Sequence, residues 1–116
     1  MKLLTEEIKK QLPMPRDNGE TAATNAVVKF FHPFSSWTWF ASEAYAVLSD
    51  GQEMALTDPR ADQAEDVIFF GLVKGLETEL GYFSLSELQG VKIHGIGVER
   101  DLSFKPTPLS CLRENG

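Results

Sequence analysis

The chain has 116 residues, 42% of them hydrophobic and 24% charged, with a formal net charge of −6 at pH 7, which predicts one domain over residues 1–116. The excess of acids argues against direct binding to nucleic acid, which depends on Lys and Arg. No apolar run approaches the roughly 20 residues of a membrane helix, and the single Cys111 cannot form an internal disulfide, so we expect a cytoplasmic protein.

The first predicted element is a short helix that begins after Thr5, a favourable N-cap, with acids in its first turn. Pro13 ends it, because proline disfavours helical geometry at the preceding residue. Acids also interrupt the N-terminal MKLLTEEIKK, so it does not have the pattern of a signal peptide. The stripe that faces the core is Leu4, Ile8 and Leu12.

Two strands follow, rich in β-branched and aromatic residues: AVVKFFH at 26–32 and SSWTWFASEAYAVL at 35–48. The short HPFS connection predicts that they pair antiparallel. Alternation places Trp37 and Trp39 on one face of the second strand and Thr38 and Phe40 on the other.

An acidic loop excursion is expected at about 49–66, followed by a central strand, VIFFGLV, at 67–73. This strand is apolar at nearly every position, so both of its faces should be covered. Gly71 indicates a bulge or the close approach of another element. YFSL then returns as the hairpin partner.

The segment SLSE at 84–87 is a capping box for a central helix, and Phe83 with Leu88 forms a hydrophobic staple. VERDLSF at 98–104 alternates, which predicts a strand. Thr107 followed by Pro108 predicts the start of a last helix, with Leu109 and Leu112 packed on the body. The sum is an α+β fold: a mostly antiparallel β-sheet with short N-terminal, central and C-terminal helices.

Three strings, KFF-P-S-WTW-A-E, FFGLVKGLETELGYFSLSEL and ERDLSFKP, resemble an uncharacterised domain-of-unknown-function family of small bacterial proteins. The resemblance covers nearly the whole chain. It implies a setting on plasmids, integrative elements and prophages, often near antirestriction genes. The resemblance brings no established catalytic residues that could be transferred to this sequence. This sequence differs mainly in a longer acidic segment between Glu43 and Asp66.

The two tryptophans can have either of two roles. They can fill one side of a small sheet, or their face can be a binding platform, because tryptophan is enriched at interface hot spots. We favour the core for most of this aromatic cluster, since a small domain has little buried area. Trp37 lies nearer the turn than Trp39, so we expect it to be the more exposed of the two.

Acidic side chains are concentrated after the second strand, opposed there only by Arg60. Such a run is commonly a solvated loop. The functional alternative is mimicry of nucleic acid, in which carboxylates occupy a basic groove on a host protein. The candidate partner-binding residues are Trp37, Trp39, Glu43, Asp50, Glu53, Asp58, Asp62, Glu65 and Asp66.

Arg100 has the parity of Val98, Leu102 and Phe104, so it is expected to point inward and to need an acidic partner. Glu43 is the candidate for a buried ion pair with Arg100. His32 and His94 lack metal-ligand spacing and are expected in a turn and a loop. No motif indicates a cofactor, a metal or catalytic residues.

We therefore expect a binding protein of a mobile genetic element rather than an enzyme. Its partner would be a host protein, such as a restriction nuclease or a CRISPR effector, blocked through an acidic surface. One alternative is a small hydrolase or nuclease that uses Glu43, Glu79 or Asp101 with a divalent metal. Another is a structural or regulatory subunit of a plasmid transfer or replication complex.

Overall fold

The structure is a computed structural model that describes residues 2–15 and 25–114. Its helical elements are α1 (Glu6–Gln11), a 3-10 helix (Pro59–Gln63), α2 (Leu85–Gly90) and α3 (Leu109–Glu114). The strands are β1 (Asn25–Ala26), β2 (Val28–Phe31), β3 (Thr38–Val47), β4 (Glu53–Met54), β5 (Asp66–Lys74), β6 (Thr78–Ser84), β7 (Lys92–Ile93), β8 (Ile96–Gly97), β9 (Glu99–Arg100) and β10 (Thr107–Pro108). None of the helices in these ranges has the length and apolar character that crossing a bilayer demands.

The main sheet has the strand order β6-β5-β3-β2-β9, and β4 pairs with the end of β3. All of these pairings are antiparallel. Two small antiparallel sheets, β1-β10 and β7-β8, accompany it. The predicted α+β class, with an antiparallel sheet and short N-terminal, central and C-terminal helices, is confirmed.

Strand β5 is covered on both faces, as its apolar run predicts. On the first face, Phe69 packs against Phe30 and Phe83 with ring centroids 5.4 and 5.3 Å apart, in a core that also holds leucines flanking α1 and Leu88 of α2. On the second face, Leu72 packs with Phe40 and with Leu109 of α3. The sheet therefore separates two hydrophobic cores, of which the first is the larger.

A β-bulge at Ser42 interrupts the alternation of β3. Ala41 is paired with Gly71 and Glu43 with Phe70, which leaves Ser42 as the extra residue. A Cβ at position 71 would overlap the carbonyl oxygen of Phe40. The expectation that Gly71 marks a bulge or a close approach is confirmed, because its lack of a side chain lets β3 come this near.

The predicted helix starts are confirmed for α1 and α2. Thr5 Oγ1 accepts from the amide of Ile8 at 3.3 Å, and Ser84 Oγ accepts from the amide of Glu87 at 3.1 Å. Leu88 is buried, as the hydrophobic staple requires. Each cap satisfies an amide that the first helical turn leaves without an intrahelical acceptor.

Two boundaries near the C-terminus were predicted wrongly. The strand expected at 98–104 is limited to β9, because the carboxylate of Asp101 accepts from the amide of Ser103 at 2.8 Å and turns the chain. Leu102 is consequently 72% exposed. Thr107 and Pro108 pair with β1, so α3 begins only at Leu109.

His32 joins the turn after β2 to the β7-β8 hairpin. It is buried, its Nδ1 accepts from the amide of Phe34 at 3.0 Å, and its Nε2 lies 2.7 Å from the carbonyl oxygen of Ile96. Because a carbonyl only accepts, Nε2 carries the proton. The hairpin turns at His94 and Gly95, both with positive φ, as a two-residue type I′ turn requires. Both histidines thus have structural roles here.

Replacing Gly71 by alanine should lower the free energy of unfolding by about 3 kcal/mol or more, because the new methyl group overlaps the backbone of β3. The measurement is urea denaturation followed by circular dichroism. Gly81 is the matched control, since it pairs directly with Gly71 on β6 and a Cβ there meets nothing within 4 Å. Gly81→Ala should change stability by no more than about 0.5 kcal/mol. Equal effects of the two substitutions would contradict the close approach at Gly71.

Candidate functional site

The two tryptophans differ in burial. Trp39 lies in β3 and is 8% exposed, whereas Trp37 immediately precedes the strand and is 38% exposed. Their ring centroids are 6.0 Å apart. A Cβ at Gly75 would overlap the indole of Trp37, so the ring rests on the backbone of the β5-β6 turn. The expectation that Trp37 is the more exposed tryptophan is confirmed.

A shallow groove of about 360 Å³ lies beside Trp37. We call it the Trp37 groove and define it by Trp37, Val73, Leu76, Glu77 and Glu79. Leu76, in the turn between β5 and β6, is 94% exposed. The groove thus combines an aromatic wall, an unburied leucine and two carboxylates, which is the composition of a protein contact with an apolar centre and a charged rim.

The acidic segment lies at the other end of the sheet. Thr38, at the start of β3, pairs with Lys74 next to the groove, whereas Val47, at its end, pairs with Glu53 and Asp66. The nine residue steps of extended strand between them span about 30 Å. The candidate partner-binding residues therefore do not form one surface, because β3 separates Trp37 from the acids.

Several of these acids are held by local hydrogen bonds. The side-chain hydrogen bond from Arg60 lowers the pKa of Asp58, followed by the bond from the Arg60 amide. The hydrogen bond from the Gln52 amide, then the one from its side chain, lowers the pKa of Asp50. Asp50 is exposed and the Asp58 side chain is 25% exposed, so these bonds near the surface shape the loop more than they stabilise the fold.

Asp66 has a structural role that its place in an acidic run does not reveal. One carboxylate oxygen accepts from the amides of Val67 and Ser86 at 2.8 and 3.1 Å, and the other accepts from Ser86 Oγ at 2.6 Å. Asp66 therefore ties the start of β5 to the first turn of α2. Glu53, Asp62 and Glu65 are exposed.

Glu43 and Arg100 lie at different places in the sheet. Arg100 pairs with Phe30, and Phe30 pairs with Trp39. Directly paired residues lie on the same face of a sheet, so the register places Arg100 on the first face. Glu43 is buried and pairs with Phe70 and, through it, with Tyr82, on the second face. Arg100 Nη1 donates to the carbonyl oxygen of Lys2 at 2.6 Å. The ion pair stays a prediction, and the register does not favour it.

The carboxylates proposed for metal-dependent hydrolysis lie on separate elements. Glu43 is in the centre of β3, Glu79 is at the exposed edge strand β6, and Asp101 follows β9 at the opposite edge. Within residues 2–15 and 25–114, no group of three or more His, Cys, Asp or Glu side chains is placed to hold a metal ion.

Leu76 is the residue of the groove that the sequence analysis missed. In KGLETELG it reads as one residue of a polar turn, and no periodic pattern includes it. The available signal is that a leucine between Gly75 and Glu77 has no strand or helix face into which it can fold. A single exposed leucine is common on protein surfaces, and Leu76 is notable because it lies in the same groove as the partly exposed Trp37.

Comparison with known proteins gives a family but no characterised relative. A family model described as a protein of unknown function (DUF2958) matches residues 3–114. No curated protein and no solved structure matches the chain. The matched range includes both the Trp37 groove and the acidic segment, so the family match does not favour either surface.

The burial difference between the tryptophans predicts different costs of truncation. Trp39→Ala should lower the free energy of unfolding by about 3–5 kcal/mol, because it leaves a large cavity in the first core. Trp37→Ala should cost about 1–2 kcal/mol, since much of its ring is already in solvent. Urea denaturation, followed by the fluorescence of the remaining tryptophan, measures both. A larger loss for Trp37 than for Trp39 would show that Trp37 belongs to the core.

Proposed function

The chain belongs to the DUF2958 family of proteins of unknown function, and from this premise we propose that it binds another protein through the Trp37 groove. The observation that carries the proposal is the pairing of a 38% exposed tryptophan with a 94% exposed leucine. Tryptophan dominates the energetics of many interfaces. A leucine left in water next to it adds apolar area that only a partner would cover.

The Trp37 ring and the backbone of the turn are held in place by neighbouring groups. Trp37 is held between Trp39, whose ring centroid is 6.0 Å away, and the backbone at Gly75. The turn that carries Leu76 is closed by a backbone hydrogen bond from Gly75 to the carbonyl oxygen of Glu77 at 3.0 Å. A preorganised anchor loses little side-chain entropy on association, which leaves more of the contact energy for affinity.

The charges around the groove indicate the chemistry of the partner. Glu77 and Glu79 lie at its rim, and the whole chain has a net charge of −6. A partner with an apolar side chain flanked by Lys or Arg would match this arrangement. Such complementarity accelerates association more than it raises affinity, and it weakens as salt increases.

We propose further that the partner is a host defence protein, a restriction nuclease or a CRISPR effector, and that binding blocks it. This part rests on the resemblance of the sequence to small proteins of plasmids, integrative elements and prophages. Defence nucleases have basic grooves for nucleic acid, which an acidic protein can approach favourably. The acidic segment near β4 is a second negative surface on the same molecule.

Leu76→Ser tests the groove directly. In pull-downs from a bacterial lysate, the tagged wild-type chain should capture a defence protein, and Leu76→Ser should reduce that capture about tenfold, because the leucine anchor is lost. Leu102→Ser is the matched control, since Leu102 is also an exposed leucine, at 72%, but lies outside the groove. Its capture should equal that of the wild type.

Function is measured in parallel as relief of restriction or of CRISPR interference in cells that express each variant. Wild type and Leu102→Ser should relieve interference, and Leu76→Ser should not. Equal capture by the two leucine variants would show that the contact lies outside the Trp37 groove. Absence of any enriched defence protein, together with absence of relief, would end the proposal of a defence partner.

A further inference from the structure

A larger cleft, of about 770 Å³, lies on the first face of the sheet. Its walls are the N-terminal segment with α1, the 3-10 helix, α2 and the β7-β8 hairpin, so it is separate from the Trp37 groove. A volume of this size is typical of a site for a small molecule and is too small for a folded partner.

The floor of the cleft is apolar. Its buried members, among them Leu88 and Val98, are at most 7% exposed, so the accessible apolar surface belongs mainly to half-buried side chains such as Leu85 and Ala64. Ile96 adds apolar surface at the hairpin and is 39% exposed. Covering such apolar area with a hydrocarbon chain or ring is favourable, because it removes the area from water.

The lining of the cleft has an excess of one positive charge, three lysines against two carboxylates, although the protein is acidic. Lys2, Lys9 and Lys92 line the cleft, against the carboxylates of Asp62 and Glu99. Lys9 also pairs with Glu6 at 3.1 Å, but Glu6 is outside the lining and largely in solvent, so this pair is weak. Three of the seven lysines of the chain thus surround one apolar floor.

Two hydrogen bonds between residues far apart in the sequence fix the walls. Arg100 Nη1 donates to the carbonyl oxygen of Lys2 at 2.6 Å, which holds the N-terminal segment against the sheet. His32 Nε2 lies 2.7 Å from the carbonyl oxygen of Ile96, which holds the hairpin. The cleft is therefore preformed, and a ligand would not have to order its walls.

From the apolar floor and the lysine rim, we propose that this cleft binds a small amphiphile with an apolar body and one anionic group, a carboxylate or a phosphate. The body would cover the half-buried Leu85 and the exposed Ile96, and the anion would lie beside the lysines of the lining. The proposal does not depend on the Trp37 groove and goes beyond the proposed protein contact.

The test is a titration of the full chain with octanoate, octyl phosphate and uncharged 1-octanol, followed by methyl NMR. Either anion should shift the methyl signals of Leu85, Ile96 and Val98 saturably, and the tighter of the two identifies the head group. The methyls of Leu72, in the second core, should not shift. Octanol should bind about tenfold more weakly, because it lacks the charge.

Lys92→Gln should weaken octanoate binding about three- to tenfold. Lys10→Gln is the matched control, because Lys10 neighbours Lys9 on α1 but is outside the lining, and it should leave the affinity unchanged. Both lysines are exposed, so neither substitution should disturb the fold. Three results would each overturn the proposal: no shift at millimolar anion, octanol binding as tightly as octanoate, or equal weakening by the two variants.

Discussion

The extra residue at Ser42 sets the geometry on which both hydrophobic cores depend. Before it, Trp39 and Ala41 face the first core, and after it Ala44 and Ala46 face the same core. Without the bulge, strict alternation would turn the second pair toward the other face. The hydroxyl of Ser42 donates to the carbonyl oxygen of Phe70 at 3.2 Å, and the missing side chain of Gly71 leaves the space that this packing needs.

The length of β3 also organises the surface. Because this strand runs through the middle of the sheet, it carries Trp37 at one end and the acidic segment at the other. Trp37 and the acids of the segment at 49–66 therefore do not form a single patch in this fold. What remains near Trp37 is a small groove with its own two carboxylates, and this is the chemistry from which a contact with a basic, partly apolar protein is inferred.

Sequence patterns within a few neighbouring residues correctly predicted the helix starts, the glycine at the bulge and the buried central strand. Thr5 and Ser84 cap their helices, Gly71 marks the close approach, and the apolar run of β5 is covered on both faces. These patterns gave wrong boundaries where a side chain bonds to nearby backbone or where the chain pairs with a distant strand. Asp101 ends the strand expected at 98–104 by bonding to Ser103, and Thr107 pairs with β1 rather than capping α3.

The candidate site was predictable only in part. The tryptophan doublet indicates Trp37, and its place beside the turn correctly suggests exposure. Leu76 joins Trp37 through the β5-β6 hairpin, a contact between residues far apart in sequence that no periodicity encodes. The acidic run also does not show which acids have structural roles. Asp66 is bonded to Ser86 at 2.6 Å, whereas the neighbouring Glu65 is exposed.

Hydrogen exchange in the complex with the captured partner tests most directly whether this chain works through its aromatic end. We predict that amides at 34–39 and 74–79 become protected on binding while those at 49–65 exchange as in the free chain. Protection confined to 49–65, with no change around Trp37 and Leu76, would contradict it and would place the contact on the acidic segment.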